Sequence, residues 1–120
     1  MSEIRDRTVL ITGGASGIGR LMGELCLEKG AKRLVIWDMD AEKLTATKAD
    51  LKSKGYEVIS DLIDITDTEA VINSAKHILN VYGPVDILIN NAGIVVGKFF
   101  EEHSHADIDK TMQINTQAMM

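Results

Sequence analysis

The sequence predicts a three-layer α/β domain, a doubly wound parallel sheet with strand order 3-2-1-4, and three observations carry that expectation. Short apolar runs alternate with amphipathic segments along the chain, the pattern of strands linked by crossover helices. The core must be aliphatic, because the 120 residues include only two Phe, two Tyr and one Trp; Val, Ile and Leu suit parallel strands buried on both faces. A glycine-rich turn leads directly from the first apolar run into a helix, and that turn belongs to this architecture when the first strand is central.

Four runs read as strands, being short and largely β-branched: Thr8 to Thr12, Arg33 to Asp38, Glu57 to Ile63 and Val85 to Asn90. Between the first two, Ile18, Met22, Leu25 and Cys26 mark one helical face, and Gly30 stops the helix. Asp40 is placed to cap the next helix, with Leu44 and Leu51 inward and Gly55 as its stop. Thr66 and Glu69 have the spacing of a capping box for the third helix. Its apolar stripe is Val71, Ala75, Ile78, Leu79 and Tyr82, and Gly83-Pro84 ends it. A last helix is expected from about Phe100 or Ser104 onward. Asp61 inside the third run is tolerable if that strand lies at the sheet edge, where the order 3-2-1-4 puts it.

Composition narrows the function. With 45% hydrophobic and 26% charged residues the chain can bury one core, so a single domain over residues 1–120 is expected. A net charge of −5 and one adjacent basic pair, Lys32-Arg33, argue against nucleic-acid binding. No apolar run approaches a membrane span, and the N-terminus is polar rather than signal-like. The single cysteine, Cys26, fits a reducing compartment. A cytoplasmic protein is the expectation.

After the first strand stands Thr12-Gly13-Gly14-Ala15-Ser16-Gly17-Ile18-Gly19. Glycines here permit a sharp turn and let backbone N–H groups, Ser16 and Ile18 among the residues carrying them, approach a pyrophosphate at the helix N-terminus. Asp38 ends the second strand nineteen residues after Gly19, where a carboxylate accepts hydrogen bonds from both ribose hydroxyls of an adenosine. The same charge repels a 2′-phosphate, and no basic residue in the loop or just after Asp38 offsets it. NAD is therefore expected in preference to NADP. Either Asp38 or Asp40 could instead cap the second helix; Asp40 is better placed, which would leave Asp38 free.

The spacing Thr-Gly-x-x-x-Gly-x-Gly resembles the short-chain dehydrogenase/reductase family, and three further segments agree with it in order and separation. Asp64-Ile65 is similar to the family pair that contacts the adenine ring. Asn90-Asn91-Ala92-Gly93 matches the motif that stabilises the central sheet and lines the cofactor. Asn115 matches the structural and catalytic asparagine of the fourth helix, whose family role is to hold a water in a proton relay. Ile11 to Gly14, Val35 to Asp38 and Asn90 to Lys98 resemble the retinol and hydroxysteroid dehydrogenase side of the family. The resemblance implies an incomplete Rossmann-type domain of an NAD-dependent oxidoreductase. It implies hydride transfer between a small secondary alcohol or ketone and nicotinamide, and homo-oligomers when complete.

The departure is that neither Tyr56 nor Tyr82 is followed by Lys four residues on. The family's acid/base tyrosine, its lysine and its serine lie downstream of the asparagine. These 120 residues are thus expected to bind a cofactor and to be inactive alone. Two alternatives stay open: a non-catalytic dinucleotide-binding module, or a part completed by another chain. His103 and His105 lack a third ligand and are read as part of a solvated acidic helix start rather than a metal site. Cys26 reads as a small buried thiol and His77 as exposed.

Overall fold

A computed structural model describes residues 4–91 of the chain. The elements run β1 (Thr8–Thr12), α1 (Gly17–Glu28), β2 (Arg33–Asp38), α2 (Ala41–Ser53), β3 (Val58–Leu62), α3 (Thr68–Tyr82) and β4 (Ile87–Asn90). The four strands form one sheet in the order β3-β2-β1-β4. All three pairings are parallel, as the alternation of strand and helix requires. The central strand β1 is buried at every position. Its register sets Thr12 opposite both Trp37 and Asn90, so the carboxyl ends of β1, β2 and β4 meet at one edge.

Strand alternation divides the core between the two faces. Val9, Ile11, Leu34, Ile36, Val58 and Ile89 meet Cys26 and Leu27 of α1 and Leu44 and Leu51 of α2. Leu10, Val35, Trp37 and Leu88 meet Val71 and Ile78 of α3. Each fully buried aliphatic side chain contributes about 1.5–3 kcal/mol. Arg20 of α1 pairs with Asp50 of α2, and Lys54 pairs with Glu24, which ties the two helices on the first face together. At the opposite end of the sheet Arg33 donates to Glu57, Thr8 Oγ1 and the Tyr82 carbonyl. Gly30, Gly55 and Gly83 follow the three helices with positive φ, the left-handed stop their sequence positions predict.

Four sequence expectations need correction. The inner face of α1 is Gly19, Gly23, Cys26 and Leu27, not the stripe through Ile18 and Leu25; Ile18 is 69% exposed. The reason is close packing. A Cβ at Gly23 would stand 2.8 Å from Leu34 Cδ2, so small residues, not large ones, face the sheet. Leu79 is likewise turned outward, 46% exposed, while its neighbour Ile78 is fully buried. The cap of α3 is Asp67, whose carboxylate accepts from Ala70 N–H at 3.1 Å. Thr66 is not a cap: the helix begins at Thr68, next to Asp67, and the Thr66 hydroxyl donates to Asp64 at 2.6 Å. Strands β3 and β4 are also shorter than expected, by one residue at each end and by two at the start. By contrast Asp61 does lie on an edge strand, where it accepts from Ser74 Oγ at 2.7 Å.

The expected final helix and His103 and His105 lie outside the described residues. Adjacent residues of α3 provide a test of the packing. Ile78→Ala should lower unfolding free energy by about 2–5 kcal/mol, and Leu79→Ala by under about 1 kcal/mol. Urea denaturation followed by circular dichroism measures both; equal losses would contradict the helix orientation.

Candidate functional site

The carboxyl edge of the sheet is built around the turn from β1 into α1. Gly13 enters it with φ +68 and Gly17 leaves it with φ +57, a region where a side chain costs roughly 1–2 kcal/mol. Gly13 N–H donates to the Trp37 carbonyl at 2.7 Å, so β2 carries the chain one residue beyond the end of β1. Gly14 faces Ile36, whose Cγ2 a Cβ there would approach to 2.9 Å. The closest approach is at Gly19. A Cβ at this position would lie 2.1 Å from the Gly13 carbonyl oxygen and 2.7 Å from Asn91 Nδ2. Asn91 Nδ2 in turn donates to that carbonyl at 3.2 Å. One β1–α1 turn, one helix and the end of β4 therefore converge on a single peptide.

The N-terminus of α1 differs from those of its neighbours. Asp40 and Asp67 cap α2 and α3 through their side chains. Ser16 occupies the N-cap of α1 in extended backbone, makes no side-chain cap, and is followed by no acidic residue in the first turn. The first-turn N–H groups around Gly17, Ile18 and Gly19 are thus left without a side-chain acceptor, in a positive helix-dipole field. Gly17 has no atom outside its neighbours within 4 Å of a built Cβ, and both Gly17 and Ile18 are exposed.

Asp38, at the end of β2, stands beside this turn. It is not the free carboxylate that the sequence suggests. Its Oδ2 accepts from Ala15 N–H at 3.0 Å and its Oδ1 from Asp40 N–H at 3.1 Å. The competing role is nevertheless taken by Asp40, which caps α2 through Lys43 N–H at 3.0 Å. Each Asp38 oxygen retains a lone pair, and the residue is partly exposed. Asp64 lies past the end of β3, exposed, its Oδ1 accepting from the Thr66 amide and hydroxyl. Those two hydrogen bonds hold its carboxyl below the usual carboxylate range. Ile65 is partly buried against the α3 face of the core. Asn90 is joined to Thr12 across the β1–β4 pair, Thr12 Oγ1 to Asn90 Oδ1, at 3.0 Å.

The turn therefore brings together Gly13, Ser16, Gly17, Ile18, Gly19, Asp38 and Asn91. Asp64 and Ile65 follow β3, Asp64 bonded to Thr66 and Ile65 packed against the α3 side of the core. Ala92, Gly93 and Asn115 lie outside the described residues. Sequence reasoning missed Thr47 of α2, whose buried hydroxyl donates to the Ala15 carbonyl at 2.8 Å. A signal existed, since Leu44, Thr47 and Leu51 share one helical face. Cys26 is buried and its thiol is pushed up by burial. No group of three or more His, Cys, Asp or Glu that could hold a metal occurs among the described residues. No helix among them is long and apolar enough to cross a membrane.

A parallel 3-2-1-4 sheet with a glycine turn opening α1 at its carboxyl edge defines a Rossmann-type α/β fold. The chain belongs to the short chain dehydrogenase family, which it matches over residues 7–120. It is 38% identical over 112 residues to (2S)-[(R)-hydroxy(phenyl)methyl]succinyl-CoA dehydrogenase subunit BbsD of Thauera aromatica, covering 93% of this chain and 45% of that protein. To estradiol 17-beta-dehydrogenase 11 of Macaca fascicularis it is 37% identical over 116 residues, covering 97% of this chain and 38% of the relative. Among solved structures, a citronellol catabolism dehydrogenase of Pseudomonas aeruginosa superposes with a TM-score of 0.70 at 36% identity, covering 74% of this chain and 37% of that one. The chain thus spans under half the length of these proteins. Its family is one of oxidoreductases that bind NAD or NADP.

The convergence at Gly19 is open to a direct test. Gly19→Ala should destabilise the domain by about 1–3 kcal/mol through overpacking, as its Cβ meets backbone rather than a yielding side chain. Gly17→Ala, strained but unobstructed, should cost about 1–2 kcal/mol, and thermal melts should show no contact-driven loss beyond that. A Gly19→Ala domain as stable as the unsubstituted chain would contradict the approach.

Proposed function

We propose that the carboxyl edge of this sheet is an NAD-binding site, the cofactor half of an oxidoreductase acting on small secondary alcohols or ketones. The observation that carries it is the pairing of an uncapped α1 N-terminus with Asp38 fixed beside it. Three features support a dinucleotide there. The uncapped first turn of α1 presents donors and dipole to a pyrophosphate. The bare backbone at Gly17 leaves space for its approach. Asp38 keeps acceptor capacity for ribose hydroxyls, and no Lys or Arg from Gly13 to Gly19 would balance a 2′-phosphate.

When bound, the nicotinamide would accept or deliver the hydride. The chain's own part in this reading is to bind and orient. Gly13, Ser16, Gly17, Ile18 and Gly19 would hold the pyrophosphate, and Asp38 the ribose. Asp64 and Ile65 would meet the adenine, with Asn91, Ala92 and Gly93 lining the cofactor. Asn115 would hold the water of a proton relay. Within the same reading the protein is cytoplasmic, and homo-oligomeric only together with the half that carries the serine and Tyr-x-x-x-Lys; the lone buried Cys26 fits a reducing compartment. No Tyr-x-x-x-Lys occurs in these 120 residues, so the residues that move the substrate proton are not among them. A non-catalytic binding module, or a part completed by another chain, would share the same cofactor site.

Two outcomes test this. Fluorescence titration should show NADH bound about tenfold to a hundredfold more tightly than NADPH, from charge repulsion and a lost hydrogen bond. Asp38→Ala should weaken NADH binding and shrink the gap; equal binding of both nucleotides by the unsubstituted chain would reduce Asp38 to a structural acceptor. The 120 residues alone should not oxidise a panel of secondary alcohols at a useful rate, since acid/base assistance typically contributes about 10²–10⁴-fold. NADH production within tenfold of a longer family member would overturn that expectation.

A further inference from the structure

Ala15 is held through both of its flanking peptides by elements outside its own turn. Its N–H donates to Asp38 Oδ2 at 3.0 Å, and its carbonyl accepts from Thr47 Oγ1 at 2.8 Å. Thr47 sits in the middle of α2 and is 1% exposed. A buried threonine in a helix ordinarily returns its hydroxyl to the carbonyl four residues back. Thr45 on the same helix does so, donating to Ala41 O at 3.0 Å. Thr47 instead reaches across 32 residues of sequence to the glycine turn. Ala15 is itself 3% exposed and packs with Leu44 and Leu51 in the α2 side of the core. Neither partner can turn to water.

We infer that Thr47 is a positioning residue for cofactor discrimination: by fixing the Ala15–Ser16 peptide it holds Ala15, and through Ala15 N–H sets the orientation in which Asp38 meets the adenosine ribose. The inference rests on the proposed cofactor site. The two bonds fall on the successive peptide units that flank the Ala15 Cα, so a rotation of the Ala15–Ser16 peptide is passed through that buried Cα to the N–H that holds Asp38 Oδ2. The second bond to Asp38, from Asp40 N–H, comes from the residue that caps α2. Both tethers of the carboxylate therefore trace back to α2. That helix thus determines how the acidic group is presented. Without the hydroxyl the Ala15 carbonyl becomes an unsatisfied buried acceptor, and the turn would relax to find a partner.

Thr47→Val keeps the shape and removes the donor, whereas Thr47→Ser keeps the donor. Titrated by fluorescence, Thr47→Val should bind NADH roughly threefold to tenfold more weakly, with NADPH affected less, so that the preference narrows. Thr47→Ser should stay within about twofold of the unsubstituted chain. In the ligand-free chain, hydrogen exchange at the Ala15 and Ser16 amides should quicken in Thr47→Val and not in Thr47→Ser. A double substitution separates positioning from general weakening. In an Asp38→Ala background, Thr47→Val should leave the NADH-to-NADPH ratio unchanged, since its effect passes through Asp38. If Thr47→Val fails to fold, Thr47→Cys replaces it, its thiol being a weak donor.

Unchanged NADH affinity and preference in the donor-less variant, beside normal binding by the unsubstituted chain, overturns the role of Thr47 alone. So does a loss of binding amplitude without any change in dissociation constant, the mark of a merely unfolded fraction. Absence of saturable binding by the unsubstituted chain overturns the cofactor reading, and the positioning role with it.

Discussion

The site depends on one close approach of backbone to backbone. Gly19, in the first turn of α1, lies so near the Gly13 carbonyl that a methyl group would sit 2.1 Å from the oxygen. This contact allows α1 to start directly over the end of β1 and to aim its first-turn N–H groups past the sheet edge. It also brings the turn within reach of Asn91, which follows β4 and donates to the same carbonyl. Strands adjacent in the sheet but 78 residues apart in sequence are thereby joined at the edge where the candidate site lies.

Around that contact, buried polar groups are paired with unusual economy. Thr12 bonds Asn90, Thr47 bonds Ala15, and Asp38 accepts two backbone amides. Each unsatisfied buried group would cost about 1–3 kcal/mol, so these pairings set the turn's conformation as firmly as packing does. The indole N–H of Trp37 is the exception, the one buried side-chain polar atom among the described residues without a partner. Its ring is fully buried on the α3 face, where aliphatic packing outweighs the missing bond.

The two faces of the sheet are stabilised differently. On one face α1 and α2 lie side by side, bridged by Arg20–Asp50 and Lys54–Glu24. Such partly exposed pairs contribute little to net stability, so they orient the helices more than they hold them. On the other face α3 covers Leu10, Val35 and Leu88 largely through Val71 and Ile78. The glycines of α1 allow a tight fit on the first face, and the large Trp37 fills space on the second.

Period and punctuation in the sequence by itself determined the strands, the helix stops and the location of the glycine turn, because alternation, β-branching and left-handed glycines are local properties; the order 3-2-1-4 followed from the doubly wound rule with β1 central. The role of Asp40 was legible for the first reason, and the edge position of Asp61 for the second. Tertiary structure decided what depends on distance between segments. Ile18, Leu25 and Leu79 fit a helical apolar stripe as well as their buried neighbours do, yet only packing shows that Gly23 and Ile78 face the sheet. Asp67 took the cap in place of Thr66 because the helix starts at Thr68, while the threonine hydroxyl donates to Asp64. Asp38 looked free until the fold brought Ala15 N–H to it, and Thr47 looked like an ordinary helical threonine until its hydroxyl met a carbonyl on another element. A hydrogen bond across 32 residues leaves no periodic mark on a sequence; it exists only once the chain has folded.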